Sequence, residues 1–279
     1  RNLRRVAISA AAAAAALAER LLGEVRRGGA GFGPELETAL WERARTRLED
    51  ELAARLTAIA DEFAARLPDK ADIAAWLKQS PSIANLKLDD STVTSSNRQV
   101  ALDFGGYLKG VALDRAAAIL REQGIHNALI NIGGNVMALG SKEGRSWRVG
   151  IQHPRQAGAL ATVGLKDGEA IGTSGDYQRY FEVDGKRYSH LIDPRTAYPV
   201  EHTAAVTVLV PGGPQAGLRS DAASKPIFIS GPANWREMAK KMESPLVLRV
   251  DRDNRIFVTE ALHRRLDYIG KPEGITVLP

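Results

Sequence analysis

Tyr180-Phe181-Glu182-Val183-Asp184-Gly185-Lys186-Arg187-Tyr188-Ser189-His190-Leu191-Ile192 reads as two strands, Tyr180–Val183 and Tyr188–Ile192, joined by a tight turn. Asp-Gly supports the positive φ of a type I′ turn, so the two strands are antiparallel neighbours. Around this hairpin lie further short β-branched or aromatic runs with turn residues between them: Trp147–Ile151, Leu160–Leu165 and Ala205–Val210. Ala128–Ile132 reads as a buried strand ended by Gly133-Gly134. Val100–Phe104 reads as a short strand, broken by Gly105-Gly106 before a helix from about Lys109 to Glu122. Strands crowd together, while helices gather on the N-terminal side and near the end. That is an α+β pattern rather than a regular βαβ array.

The first third is helical in character. Leu48, Leu52, Leu56, Ile59, Phe63 and Leu67 recur every three or four residues, one apolar face of a helix from about Glu35 to Leu67 that Pro68 stops. A short helix near Ile73–Leu77 ends before Pro81. Further upstream, Arg1, Arg4 and Arg5 followed by the alanine-rich stretch Ala10–Ala18 look like the basic and apolar regions of a signal peptide. A helix is the better reading, with Ser9 as N-cap, Leu17, Leu21 and Leu22 on one stripe, and Glu19 and Arg20 following without a loop. With no initiator Met, the numbered chain is expected to start inside a longer precursor.

The 279 residues are 44% hydrophobic and 25% charged, a globular composition that argues against a disordered chain. Lys and Arg number 38 against 33 Asp and Glu, but the charges are interspersed, so the net +5 does not indicate a nucleic-acid binder. No apolar run is long enough to span a bilayer. Cysteine is absent, which removes disulfides, cysteine-ligated zinc, iron–sulfur clusters and thiol catalysis.

Three clusters carry candidate chemistry. In Asp103-Phe104-Gly105-Gly106-Tyr107-Leu108-Lys109-Gly110, glycines permit close backbone approach and a lysine opens a helix, which suits a phosphate. An ordinary strand-to-helix turn is the competing reading, since the spacing fits neither a Walker A loop nor G-x-G-x-x-G. In the second cluster, Thr173-Ser174-Gly175-Asp176-Tyr177 and Ser189-His190-Leu191-Ile192-Asp193-Pro194 could converge through the hairpin. His190 titrates in the right range for proton transfer, and the alternative is a half-buried strand residue. In the third, Asp221 and Lys225 lie four apart in Ser220-Asp221-Ala222-Ala223-Ser224-Lys225 and would pair on a helix, as many surface residues do. Gly172-Thr173-Ser174 starts like a nucleophile elbow, but Asp176 stands where its second glycine belongs.

Together with Asn131-Ile132-Gly133-Gly134-Asn135 and Trp147-Arg148-Val149-Gly150-Ile151, these segments resemble, in order, the ApbE-type flavin transferases (FAD:protein FMN transferases). The glycine-rich Gly31-Phe32-Gly33-Pro34 resembles the family's Gly-Phe-Asp-Pro turn. The resemblance implies a single domain over residues 1–279, mainly helical over 1–85 and sheet-rich over 86–279. Its fold would be α+β and T-fold-related, with mixed and antiparallel sheets, flanking helices and an FAD cleft between sub-structures. It implies cleavage of FAD with release of AMP and transfer of FMN to a Thr or Ser of an acceptor protein, a redox-pump or electron-transfer subunit. The setting would be the periplasm or the outer face of the cytoplasmic membrane, with any lipid anchor upstream. FAD contacts would come from Gly31, Phe32, Gly33, Asp103, Gly106, Lys109, Ser174, Gly175, His190 and Ile192, with His190 assisting proton transfer. Mg²⁺ would be held by the Gly106 carbonyl, Asp221 and a hydroxyl at the position of Lys225.

The sequence departs from that pattern. An upstream segment of the family is expected to fall outside the numbered chain, Gly33 replaces an aspartate, and Lys225, followed by Pro226, stands at the hydroxyl ligand position. An ammonium offers donors only and cannot ligate Mg²⁺. Two other readings follow: a flavin-binding protein with weakened transferase activity in which Lys225 replaces the metal, and a non-enzymatic interaction module.

Overall fold

The computed structural model describes residues 67–270, 272 and 274–279. The Gly31-Phe32-Gly33 turn, the helix expected at the alanine-rich stretch and all but the last residue of the helix expected from Glu35 lie outside the described residues. Helix α1 (Lys70–Lys78) opens on the N-cap Asp69, whose carboxylate accepts the Ala71 N–H at 2.8 Å. An exposed hairpin follows, β1 (Leu86–Asp89) with β2 (Thr92–Ser95). A 3-10 turn, Phe104–Gly106, leads into α2 (Leu108–Glu122).

Five strands come next: β3 (Ala128–Ile132), β4 (Asn135–Leu139), β5 (Trp147–Gln152), β6 (Ala159–Leu165) and β7 (Ala170–Gly175). The hairpin β8 (Tyr180–Val183) and β9 (Lys186–Ser189) and the short pair β10 (Ile192–Asp193) and β11 (Tyr198–Pro199) follow. Then come β12 (Thr203–Val210) and the long helix α3 (Ala216–Lys241). The remaining elements are β13 (Leu246–Asp251), β14 (Ile256–Thr259), the one-turn helix α4 (Glu260–His263), β15 (Leu266–Tyr268) and β16 (Ile275–Leu278).

The main sheet has the order β16-β14-β13-β12-β7-β4-β3 and is antiparallel except where β14 meets β16. One face packs against a second sheet, β15-β6-β5, through residues such as Val136, Val163, Leu165, Leu209 and Leu248. The other face carries α2 and α3 on Leu113, Met137, Val206, Val208 and Phe228. A strand covered on both sides needs apolar residues at successive positions, and β12 is buried at every residue. This is the α+β fold with mixed and antiparallel sheets and flanking helices that the sequence implied.

Several local expectations are corrected. Val100–Phe104 forms no strand: Asp103 turns its carboxylate onto the Gly105 N–H at 2.7 Å and opens the 3-10 turn, and among the described residues no neighbouring strand offers a ladder. Ala128–Ile132 is a strand, yet among the described residues an edge one paired with β4 alone, and it is half-buried at alternate positions because one face is covered more than the other. Tyr188–Ile192 is interrupted, since the His190 N–H turns to the Arg179 carbonyl at 3.1 Å and ends β9 at Ser189. Ser174-Gly175 closes strand β7 rather than making a turn. The hairpin turn is as expected, with φ of 52° at Asp184 and 72° at Gly185. Pro226 stays within α3, which breaks instead at Gly231, where φ is 76° just before Pro232.

Candidate active site

Two helices cross where neither has a side chain. A methyl on Gly110 of α2 would lie 2.3 Å from the Gly217 carbonyl oxygen of α3, and one on Gly217 would lie 2.5 Å from the Gly110 carbonyl oxygen. The backbones can therefore touch, and the α3 start is capped from the side: Asp114 accepts the Gly217 and Leu218 N–H groups, both at 2.8 Å. One turn further along α3, Asp221 is 1% exposed and accepts the Gly110 N–H on Oδ2 at 3.0 Å. Its Oδ1 accepts from the Lys225 ammonium, which also donates to the Asp221 carbonyl at 2.7 Å. The i,i+4 pair read from the sequence thus exists, but buried under α2 rather than on a surface. Gly110→Ala is expected to lower the unfolding free energy by about 2 kcal/mol through forced separation of the helices. Chemical denaturation measures that loss, and an unchanged midpoint would contradict the crossing.

The Lys225 stem runs past Gly106, whose added methyl would meet Lys225 Cδ and Cε at 3.8 Å. The 3-10 turn, the opening of α2 and α3 therefore share one corner. Lys109 adds a second ammonium there, its Nζ donating weakly to the Gly133 carbonyl at 3.5 Å. Burial lowers the Lys225 pKa, and repulsion from Lys109 adds to the lowering against the pull of Asp221. His190 feels the same charges. Its pKa is lowered first by partial burial and then by Arg179, Lys225 and Lys109, against the Arg179 carbonyl. Its ring Nδ1 lies 3.0 Å from that carbonyl and must donate to it, which makes Nε2 the acceptor nitrogen of the neutral imidazole. Beside His190 a groove of about 420 Å³ is lined by Tyr180, Phe181, Tyr188, Ile192 and Tyr198, with the Phe181 and Tyr188 rings stacked at 5.5 Å. Cations that repel one another next to flat apolar walls suit a ligand with an anionic centre and a planar ring.

The structure brings Gly106, Lys109, His190, Asp221 and Lys225 together in this way, with Ile192 on the adjoining groove. Asp103 is exposed at the same turn and uses one oxygen as its cap. Ser174 and Gly175 are placed differently. The Ser174 hydroxyl is buried against Ser224 at 2.7 Å, and Gly175 lies under the Tyr177 ring. Ser174→Ala should cost about 1 kcal/mol of stability as a lost buried hydrogen bond, and a double variant with Ser224→Ala should show coupling. A second groove, about 330 Å³, gathers Asn131, Gly134, Arg148, Gly150 and Tyr177, so the segments around Asn131 and Trp147 line one space. Sequence reading missed Asp114, Gly217 and Ser224. Ser224 stood inside the third cluster and Asp114 is a carboxylate one helical turn past Gly110, but no spacing singled either out.

The ApbE family pattern matches residues 39–248. The chain belongs to the ApbE family. Among its relatives, an FAD:protein FMN transferase of Rhodobacter capsulatus is 42% identical over 208 residues, covering 74% of this chain and 39% of the relative. One of Haemophilus influenzae is 32% identical over 192 residues, covering 67% and 54%. The ApbE protein of Thermotoga maritima superposes with a TM-score of 0.65 at 32% identity, covering 72% of this chain and 64% of that structure. The apo flavinyl transferase ApbE of Pseudomonas stutzeri gives 0.61 at 32%, covering 73% and 63%. This ApbE chain therefore spans 39% and 54% of the length of the two curated relatives.

The magnesium that the resemblance implies does not fit the residues at its position in this ApbE chain. Among the described residues no three His, Cys, Asp or Glu side chains group to hold a metal. Asp221 is the one carboxylate of the implied set, both its oxygens are already engaged, and Lys225 brings donors where a cation needs oxygen ligands.

Proposed function

We propose that this chain carries the catalytic part of an FAD:protein FMN transferase. The acceptor's Thr or Ser hydroxyl oxygen attacks the phosphorus of the FMN half of FAD. The bond from that phosphorus to the bridging oxygen breaks, AMP leaves with the bridging oxygen, and the hydroxyl proton passes to His190 Nε2. The observation that carries this reading is the meeting of the Gly105-Gly106 turn and Lys109 with Asp221, Lys225 and a neutral His190 beside an aromatic groove. Phosphoryl transfer needs little covalent help beyond positioning, fixed positive charge and a base, and these residues offer all three. Because the metal's seat is filled, no step is assigned to magnesium. The proposal extends, on the resemblance alone, to an acceptor among redox-pump or electron-transfer subunits outside the cytoplasmic membrane.

The test is incubation of the protein with FAD and an acceptor domain carrying a flavinylation threonine. A covalently fluorescent acceptor band and one AMP per flavin transferred are expected. Absence of both products, with and without added Mg²⁺, would overturn the reading.

A further inference from the structure

We propose that the Lys225 ammonium, anchored on Asp221, does the work of a divalent cation, so that this chain binds the diphosphate of a dinucleotide without metal. The inference rests on the flavin-transferase reading and deepens it. A divalent cation at this corner would need oxygen atoms with free lone pairs. The Gly110 N–H and the Lys225 ammonium already occupy Asp221 Oδ2 and Oδ1, and the Asp221 carbonyl also accepts from Lys225. Removing the lysine from this arrangement would leave a carboxylate that is 1% exposed without its counter-charge.

The ammonium is also set up to face a ligand. It has three N–H donors, and among the described residues it finds two acceptors, both on Asp221. One donor therefore remains, on a side chain that is 22% exposed and whose stem lies along Gly106. Lys109 stands near enough to repel it, and the only acceptor Lys109 finds among the described residues is the distant Gly133 carbonyl. Two ammonium groups held on neighbouring elements, one of them anchored, are what an anion with several oxygens would bridge. Lysine binds phosphate as a point charge and needs no particular coordination geometry. Gly106 leaves its side of that space open, since even an added methyl would meet only Lys225 Cδ and Cε at 3.8 Å.

The test measures FAD affinity in the full chain by quenching of flavin fluorescence, once in EDTA and once in Mg²⁺. The two dissociation constants are expected to agree within about twofold. Mn²⁺ followed by electron paramagnetic resonance, with no flavin present, is expected to stay free. Lys225→Thr, checked for folding by circular dichroism, should bind Mn²⁺, lose about tenfold in FAD affinity in EDTA and recover it with Mg²⁺. Wild-type binding that vanishes in EDTA and returns with Mg²⁺ would overturn the proposal and leave the flavin reading standing. No FAD binding under either condition would overturn both.

Discussion

Replacing Asp221 with alanine is expected to remove about 3 kcal/mol of folding stability, the low end of the range for breaking a buried ion pair. The low end applies because Lys225 keeps 22% of its side chain in solvent and can recover some hydration. Two losses add up. The Gly110 N–H, pressed into the helix crossing, loses the acceptor that satisfies it at 3.0 Å, and Lys225 loses its counter-charge. Asp221→Asn keeps the shape and an amide oxygen for one of these donors, so about half the loss is expected there. The double variant Asp221→Ala with Lys225→Met should be more stable than Asp221→Ala alone, because no uncompensated charge remains near the buried site. Guanidinium denaturation of the wild type, Asp221→Ala, Lys225→Met and the double variant measures the cycle. If the double variant were as unstable as the sum of the two single ones, Asp221 and Lys225 would not act as a coupled pair.

What could be read in advance divides by whether the information is local. The hairpin about Asp184-Gly185 depends on four residues and came out in register, Val183 against Lys186. Ala205–Val210 declares itself because a strand covered on both faces is buried at successive positions, and Leu160–Leu165 because buried Ala161, Val163 and Leu165 alternate with half-buried Thr162 and Gly164. Strands β4 and β7 do not. Asn135 and the small residues Gly172, Ser174 and Gly175 read as turn material. Yet Gly172 is small because α3 lies on it, and an added methyl would sit 2.6 Å from the Ser220 carbonyl oxygen. That requirement comes from a helix nearly fifty residues away and leaves no local mark.

The site shows the same division. The four-residue spacing of Asp221 and Lys225 foretells that they pair, whereas their burial depends on two glycines on different helices, which no periodicity reveals. Val100–Phe104 erred the other way: an apolar run has strand character only when a partner strand exists, and Asp103 instead spends its carboxylate on a turn. His190 was legible as a candidate from residue type and from the segment around it. Its tautomer was not, since that is set by a backbone carbonyl, Arg179, whose side-chain identity is irrelevant to the bond.

That tautomer gives the kinetic prediction with the largest effect. With Nδ1–H donated to the Arg179 carbonyl, Nε2 is the atom able to take the acceptor's hydroxyl proton. His190→Gln should therefore reduce FMN transfer by about two to four orders of magnitude while leaving FAD affinity nearly unchanged. The pH profile adds a signature that a structural role would not produce. The base must be neutral, and burial with the charges of Arg179, Lys225 and Lys109 holds its pKa below the ordinary 6.5. Activity is then retained below the pH at which a free histidine would protonate and is lost as pH falls through the lowered value. Lys109→Met removes one of the repelling charges, so the acid limb measured at saturating FAD should move to higher pH. An acid limb that stays in place in Lys109→Met, or that persists unchanged in His190→Gln, would assign the titrating base to another group.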